Sequence, residues 1–149
     1  MATALFAGSF DPFTNGHLDI LNKASKIFDE VIIAVAVNSE KKNFLPLETR
    51  LELIKKSVLG LKNVTVDSYE GLTVEYAKAH GIKVLVRGVR SSSDFDYENQ
   101  ISDTNKRLAP DIETVLLTPN PENAFISSTI VREIYKNSGD VSKFVPNIW

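Results

Sequence analysis

No cysteine occurs among the 149 residues of the chain, which removes disulfides, thiolate metal sites and a cysteine nucleophile together. Such a composition suits a reducing, cytoplasmic setting. Long apolar runs are also missing. The longest purely apolar stretch, residues 31–37, falls far short of the about 20 residues a membrane helix needs. No lysine or arginine precedes Lys23, and Gly8, Asp11 and Pro12 break the early apolar stretch, so the basic start of a secretory signal is absent. Nothing is expected to be cleaved or exported. Charge of one sign is not in excess either: 17 basic against 19 acidic residues leave a formal −2. The whole molecule therefore has no bulk field that would draw nucleic acid or an anionic membrane, and no basic stripe interleaved with aromatics appears. Any anion site must be local. Neither GxGxxG nor a Walker A loop is present, which removes the commonest dinucleotide and P-loop readings.

What is present is ordinary for a folded, soluble chain: 43% hydrophobic and 24% charged residues. The length suits one domain, residues 1–149, burying roughly 68–70% of its unfolded surface. Periodicity predicts alternating elements. Residues 3–7 read as a strand, followed by a helical stripe at Leu18, Leu21, Ala24 and Phe28. Residues 31–37 read as a central parallel strand, followed by a stripe at Leu47, Leu51, Ile54 and Val58 that Gly60 is placed to end. Residues 64–69 alternate as a strand, 74–80 read as a helix closed by Gly81, and 83–86 form a fourth strand. A helix then starts at the Ser91-Ser92-Ser93-Asp94 run and continues to about Leu108. A fifth strand spans 112–117, and a last helix spans 130–136, capped by Ser127, Ser128 or Thr129 and closed near Gly139. Five strands interleaved with helices predict an α/β fold: a doubly wound, five-stranded parallel sheet of Rossmann-like type. Ligands in such sheets gather beyond the carboxyl ends of the strands.

Four of the five segments at those ends hold groups suited to phosphate. The first carries Gly8 to His17, where glycines and a helix start favour an anion. Lys41 and Lys42 follow strand two, Arg87 and Arg90 follow strand four, and Ser127, Ser128 and Thr129 follow strand five. Each has a plain structural reading as well: a turn, a solvated lysine, a helix cap. Yet a histidine opening a helix gains nothing from the dipole, and Arg132 in the first turn of the last helix opposes it. Both suggest an anion nearby. His80, at a helix end before Gly81, is explained by dipole and capping alone.

Gly8-Ser9-Phe10-Asp11-Pro12 with Thr14-Asn15-Gly16-His17 resembles the T/HxGH signature of the nucleotidyltransferase superfamily. The segment Val86-Arg87-Gly88-Val89-Arg90, then Asp94-Phe95-Asp96-Tyr97-Glu98, then Phe125-Ile126-Ser127-Ser128-Thr129, is similar to bacterial phosphopantetheine adenylyltransferases. The resemblance covers nearly the whole chain. It implies reversible transfer of the adenylyl group of ATP to 4′-phosphopantetheine, giving dephospho-coenzyme A and pyrophosphate, the penultimate step of coenzyme A synthesis. It implies catalytic roles for His17, Lys41 and Arg90, and contacts to the acceptor from Ser9, Lys41, Thr73 and Arg87. ATP would meet Ser9, Phe10, His17, Gly88, Val89, Arg90, Glu98, Asn123, Ala124, Phe125, Ile126, Ser127, Ser128 and Thr129. Mg2+ would arrive on ATP with no protein ligand. Coenzyme A as a feedback inhibitor and a homohexamer are further implications, with neither nucleic acid nor membrane as partner.

The sign of any shift in the His17 pKa is open at this point, since a helix N-terminus lowers it and bound polyphosphate raises it. Ser9 stands where many of these proteins have threonine, and Thr129 where they have a third serine. The chain ends at Trp149, soon after Phe144-Val145-Pro146, where members of that family continue into another helix. Competing readings are a nucleotidyltransferase acting on nicotinamide mononucleotide, one joining glycerol 3-phosphate with CTP, and a non-catalytic nucleotide sensor on the same scaffold.

Overall fold

A computed structural model describes residues 2–38, 40 and 42–149. Five strands, β1 (Thr3–Gly8), β2 (Glu30–Ala36), β3 (Val64–Tyr69), β4 (Val84–Gly88) and β5 (Glu113–Leu117), alternate with helices α1 (Asn15–Ile27), α2 (Leu47–Ser57), α3 (Thr73–Ala79) and α4 (Ser92–Leu108). A 3-10 turn at Pro121–Asn123 precedes the last helix, α5 (Ser128–Lys136). All strand pairs are parallel, in the order β3-β2-β1-β4-β5. The expected doubly wound sheet is therefore the observed one, and the reversal of strand order falls between β1 and β4.

Alternation along β1 explains why it lies at the centre. Ala4 and Phe6 point into a core shared with Ile20, Leu21 and Ala24 of α1, Ile54 of α2, and Val31, Ile33 and Val35 of β2. Leu5 and Ala7 point the other way, onto Val74 and Ala77 of α3 with Ile82, Leu85 and Ile112. Both faces of the strand are covered, as a parallel sheet requires. A smaller cluster of Ile126, Val131, Val141 and Val145 joins α5 to the last residues, where Trp149 packs edge-on against Phe44 with ring centroids 5.7 Å apart. Among the described residues no helix is long and apolar enough to cross a membrane.

One helix end differs from expectation, and another closes near Gly139 as expected but through its neighbour. Gly60 does not end α2; the helix stops at Ser57 with Val58 as its cap. After α5, the residue in the left-handed region is Ser138 (φ 62°), not Gly139. The Ser138 and Gly139 amides donate to the carbonyls of Tyr135 and Ile134, which is the Schellman closure, with Gly139 at the position where it needs no side chain only for steric reasons. A Cβ there would lie 2.6 Å from Ile134 Cγ2. By contrast Gly81 (φ 66°) takes the left-handed position after α3, as expected. Replacing Ser138 by glycine removes the steric cost of that conformation and is expected to stabilise the chain by about 1 kcal/mol in urea denaturation. An unchanged midpoint would show that the serine bears no strain.

Candidate active site

At the carboxyl ends of β1 and β4 lies a cleft of about 550 Å3. Three helix N-termini open on it, those of α1, α4 and α5, so free amides and positive dipole ends face one space.

The floor is the turn between β1 and α1. Phe10 has φ 46°, a left-handed conformation rare for a bulky side chain, yet it is only 3% exposed. Edge-to-face contacts with Phe6, Phe13 and His17, at 5.1, 5.7 and 5.0 Å between ring centroids, hold it there. A conformation costing about 1–3 kcal/mol is thus secured by packing. Gly8 is needed for that packing, since a Cβ would meet the Phe10 ring at 3.3 Å. Gly16 lines the cleft, and its missing side chain also leaves room for the neighbouring loop, with the Ile126 carbonyl 3.4 Å from where a Cβ would sit.

His17 is the third residue of α1 and completes a capping box with Thr14. The Thr14 amide donates to His17 Nδ1 at 3.0 Å, and the His17 amide donates to Thr14 Oγ1 at 3.3 Å. Glutamate usually takes this reciprocal role. Because a backbone N–H can only donate, Nδ1 must accept, and a neutral ring then carries its proton on Nε2. Burial, followed by the charges of Arg90 and Arg87, pushes the His17 pKa down from 6.5 to about 4. The ring is therefore neutral at pH 7, and Nε2–H is its one free donor. Ring stacking on Phe13, at 5.6 Å, fixes its plane.

Arg87 and Glu98 face each other across the cleft wall. Nε and Nη2 of Arg87 donate to the two oxygens of Glu98 at 2.7 and 2.8 Å, and Nη1 donates to the Ala7 carbonyl at 2.9 Å. Two N–H groups of this guanidinium remain for a ligand. Arg90 is oriented by Asp94, whose Oδ2 lies 3.1 Å from Arg90 Nε and accepts the Arg90 amide. Each arginine is thus aimed by an acid of α4. Glu98 is only 7% exposed, so Glu98→Ala strands a partly buried cation. A loss of about 2–4 kcal/mol is expected in chemical denaturation, with weaker acceptor binding; a neutral substitution would reduce the pair to decoration.

On the far wall the three expected capping hydroxyls divide their work. Ser127 caps α5 by accepting the Ile130 amide, Ser128 Oγ donates to the Pro12 carbonyl at 2.9 Å, and Thr129 Oγ1 accepts from Arg132 Nη2 at 3.1 Å. Arg132 Nη1 also donates to the Asp11 carbonyl at 2.8 Å. The Ser128 and Arg132 bonds to the Pro12 and Asp11 carbonyls stitch the start of α5 to the β1–α1 turn across more than a hundred residues of sequence.

The cleft gathers Ser9, Phe10, His17, Arg87, Gly88, Arg90, Glu98, Ile126, Ser127, Ser128 and Thr129 of the expected residues. Lys41 lies outside the described residues. Thr73, Val89, Asn123, Ala124 and Phe125 do not line it. Thr73 opens α3 and bonds Tyr69 through its hydroxyl, Val89 is buried with its amide on the Leu117 carbonyl, and Phe125 is 56% exposed against Phe144. Asn123 instead bonds Asp19. His80 caps α3, its Nδ1 2.9 Å from the Tyr76 carbonyl.

Sequence reading missed Tyr97, Asp94 and Pro119 on the cleft wall, and three buried ties behind it. Asp11 accepts the amides of Phe44 and Leu45 at 2.7 and 2.8 Å. Asp19 accepts the Asn120 amide and the Asn123 side chain. Arg50, 1% exposed, donates to the carbonyls of Leu45 and Ser9 at 3.1 and 2.9 Å, while its Nη2 has no partner among the described residues. Arg50 shares the apolar stripe of Leu47, Leu51 and Ile54, and a charge on a buried face was the available signal.

Residues 5–134 match the family model described as cytidylyltransferase-like. A phosphopantetheine adenylyltransferase from Nautilia profundicola is 49% identical over 144 residues, covering 97% of this chain and 94% of that protein. One from Shouchella clausii is 46% identical, covering 98% and 92%. Among solved structures, a bifunctional NMN adenylyltransferase/ADP ribose pyrophosphatase from Francisella tularensis superposes with a TM-score of 0.74 at 16% identity, over 97% of this chain and 44% of that one. The lipopolysaccharide core biosynthesis protein from Thermoplasma volcanium GSS1 gives 0.56 at 21% identity, over 80% and 97%. These two similarities speak to the fold. With the sequence relatives at nearly full length, they lead to one assignment: the chain belongs to the cytidylyltransferase-like family and, within it, to the phosphopantetheine adenylyltransferase family.

Proposed function

We propose that this chain transfers the adenylyl group of ATP reversibly to 4′-phosphopantetheine, giving dephospho-coenzyme A and pyrophosphate. The observation that carries the chemistry is the neutral His17, its Nε2–H the free donor of a ring flanked by Arg87 and Arg90 where three helix N-termini meet. The attacking group is a phosphate oxygen, ionised already at neutral pH, so no general base is required. Its lone pair forms a bond to the α-phosphorus as the bond to the β-phosphate bridge breaks, and the electron pair leaves on pyrophosphate. Catalysis then consists of alignment and charge stabilisation.

His17 Nε2–H donates to the α-phosphate as charge builds there. Arg90 and the amides at Ser127, Ser128 and Thr129 take the triphosphate, with Arg132 beside them. Ser9 and the two free N–H groups of Arg87 face the acceptor. By family likeness Lys41 and the backbone at Thr73 join the acceptor side, and Gly88, Val89, Asn123, Ala124 and Phe125 border the nucleoside. Among the described residues the two carboxylates lining the cleft, Asp94 and Glu98, are paired with Arg90 and Arg87. By family likeness Mg2+ would arrive on ATP.

The rest of the reading follows from the same family. The protein works as a single domain in the cytoplasm, coenzyme A competes as a product-like inhibitor, and six copies assemble. Supporting the assembly, α4 buries only Glu98 of its 17 residues and exposes Phe95, Tyr97 and Leu108. The decisive assay is pyrophosphate release from Mg-ATP with each acceptor in turn. Release is expected with 4′-phosphopantetheine; release only with nicotinamide mononucleotide, or only from CTP with glycerol 3-phosphate, would replace this reading.

A further inference from the structure

Beside the cleft opens a second cavity of about 470 Å3, sharing Ser9 and Arg132 with it and bordered on its far side by Lys42 and Lys136. Arg132 and Lys136 stand one helical turn apart on α5, a like-charged spacing that destabilises a helix by a few tenths of a kcal/mol. Their joint presence on one cavity needs a reason outside the helix. The single acid on the wall, Asp11, has both oxygens taken by the Phe44 and Leu45 amides. Immediately behind, the buried Arg50 reaches the Ser9 carbonyl and keeps one nitrogen unpartnered. Among the described residues, none of Lys42, Arg50, Arg132 and Lys136 forms an ion pair with a carboxylate. Four unneutralised cations around one polar cavity concentrate positive potential there.

We propose that this cavity receives inorganic pyrophosphate as it leaves, with Lys136 and Lys42 as its outer ligands and Arg132 as the group handed from ATP to product. The inference rests on the adenylyl-transfer reading above. Arg132, at the start of α5, lines both the cleft and this cavity, and Lys136 stands one turn further along the helix on the cavity alone. Pyrophosphate then passes from the cleft into this cavity by way of Arg132, and enters by the same path when the reaction runs backwards.

The test titrates inorganic pyrophosphate into the full chain by calorimetry, with AMP as the control that lacks β and γ phosphates. Lys136→Gln should raise the pyrophosphate Kd about tenfold, and the Lys42→Gln/Lys136→Gln pair more, with AMP affinity unchanged. In the reverse reaction, Lys136→Gln should raise the KM for pyrophosphate and not that for dephospho-coenzyme A. An unchanged pyrophosphate Kd, or an equal loss for AMP, overturns the proposal. So does a KM rise confined to 4′-phosphopantetheine, which would give the cavity to the acceptor phosphate. If the unmodified chain does not adenylylate 4′-phosphopantetheine and the pyrophosphate Kd still rises as stated, the acceptor assignment fails and the pyrophosphate site stands.

Discussion

His17→Ala lowers kcat by about 10²–10³-fold while ATP binding stays within about threefold of the unmodified chain. The split follows from timing: Nε2–H meets a phosphate whose negative charge grows only as the transition state forms, so ground-state binding loses little. Single-turnover rates beside equilibrium ATP titration measure both quantities. Equal losses in the two would make His17 a binding or folding residue. The capping box adds a second expectation, because Thr14→Ala removes the Oγ1 partner of the His17 amide while sparing the Thr14 amide that holds Nδ1. Helix stability should fall by about 1 kcal/mol with the ring still oriented.

The same burial has a pH signature. In the ligand-free folded chain the His17 pKa is held at about 4, against 6.5 when unfolded. Between those values the unfolded chain binds a proton that the folded chain does not. Stability from this group is therefore fully present above about pH 6.5 and is lost as pH falls toward about 4. Thermal unfolding of the ligand-free protein across that window should show a falling midpoint, and His17→Gln should flatten that part of the curve. An unaltered curve in the variant would place the imidazole in water.

The second large effect is on stability. Arg50→Ala empties the volume of a fully buried side chain and orphans the carbonyls of Ser9 and Leu45. A loss of about 3–5 kcal/mol is expected in denaturant titration. Activity should fall as well, because Ser9 and the segment around Leu45 would lose their common anchor. Arg50→Lys keeps charge and stem but not the fork that spans two carbonyls, so it should recover only part of either loss. A lysine variant indistinguishable from the unmodified chain would show that charge alone matters at this position.

Much of the fold was legible because burial on both faces makes parallel strands read as short apolar runs, as residues 31–37 do for β2. Helices α1 and α2 were equally plain from their stripes. The end of α2 was not, and at the end of α5 the sequence did not show which residue turns left-handed, since a glycine marks permission for that conformation and not its use; Ser138 took it and Gly139 was kept small by Ile134. At the site, His17 and the arginines stood out because charged or titratable residues after a strand need a reason. Their orientation was invisible. Asp94 pairs locally with Arg90, but Glu98 meets Arg87 only when α4 folds back on β4, and Arg50 reaches the Ser9 carbonyl, 41 positions away, only when α2 packs beside the end of β1. Asp19 left no signal at all beyond one acid inside an apolar run.

Direct transfer between two aligned phosphates, with the protein supplying no nucleophile of its own, is the core of this account. Its most direct measurement is the stereochemical course at the α-phosphorus, using chiral adenosine 5′-O-(1-thiotriphosphate) and 4′-phosphopantetheine. A single in-line displacement predicts inversion of configuration at the adenosine-bearing phosphorus of the thiodiphosphate bridge in the dephospho-coenzyme A product. Retention would require a covalent adenylyl-enzyme between two displacements, and would contradict the role assigned to every residue of the cleft.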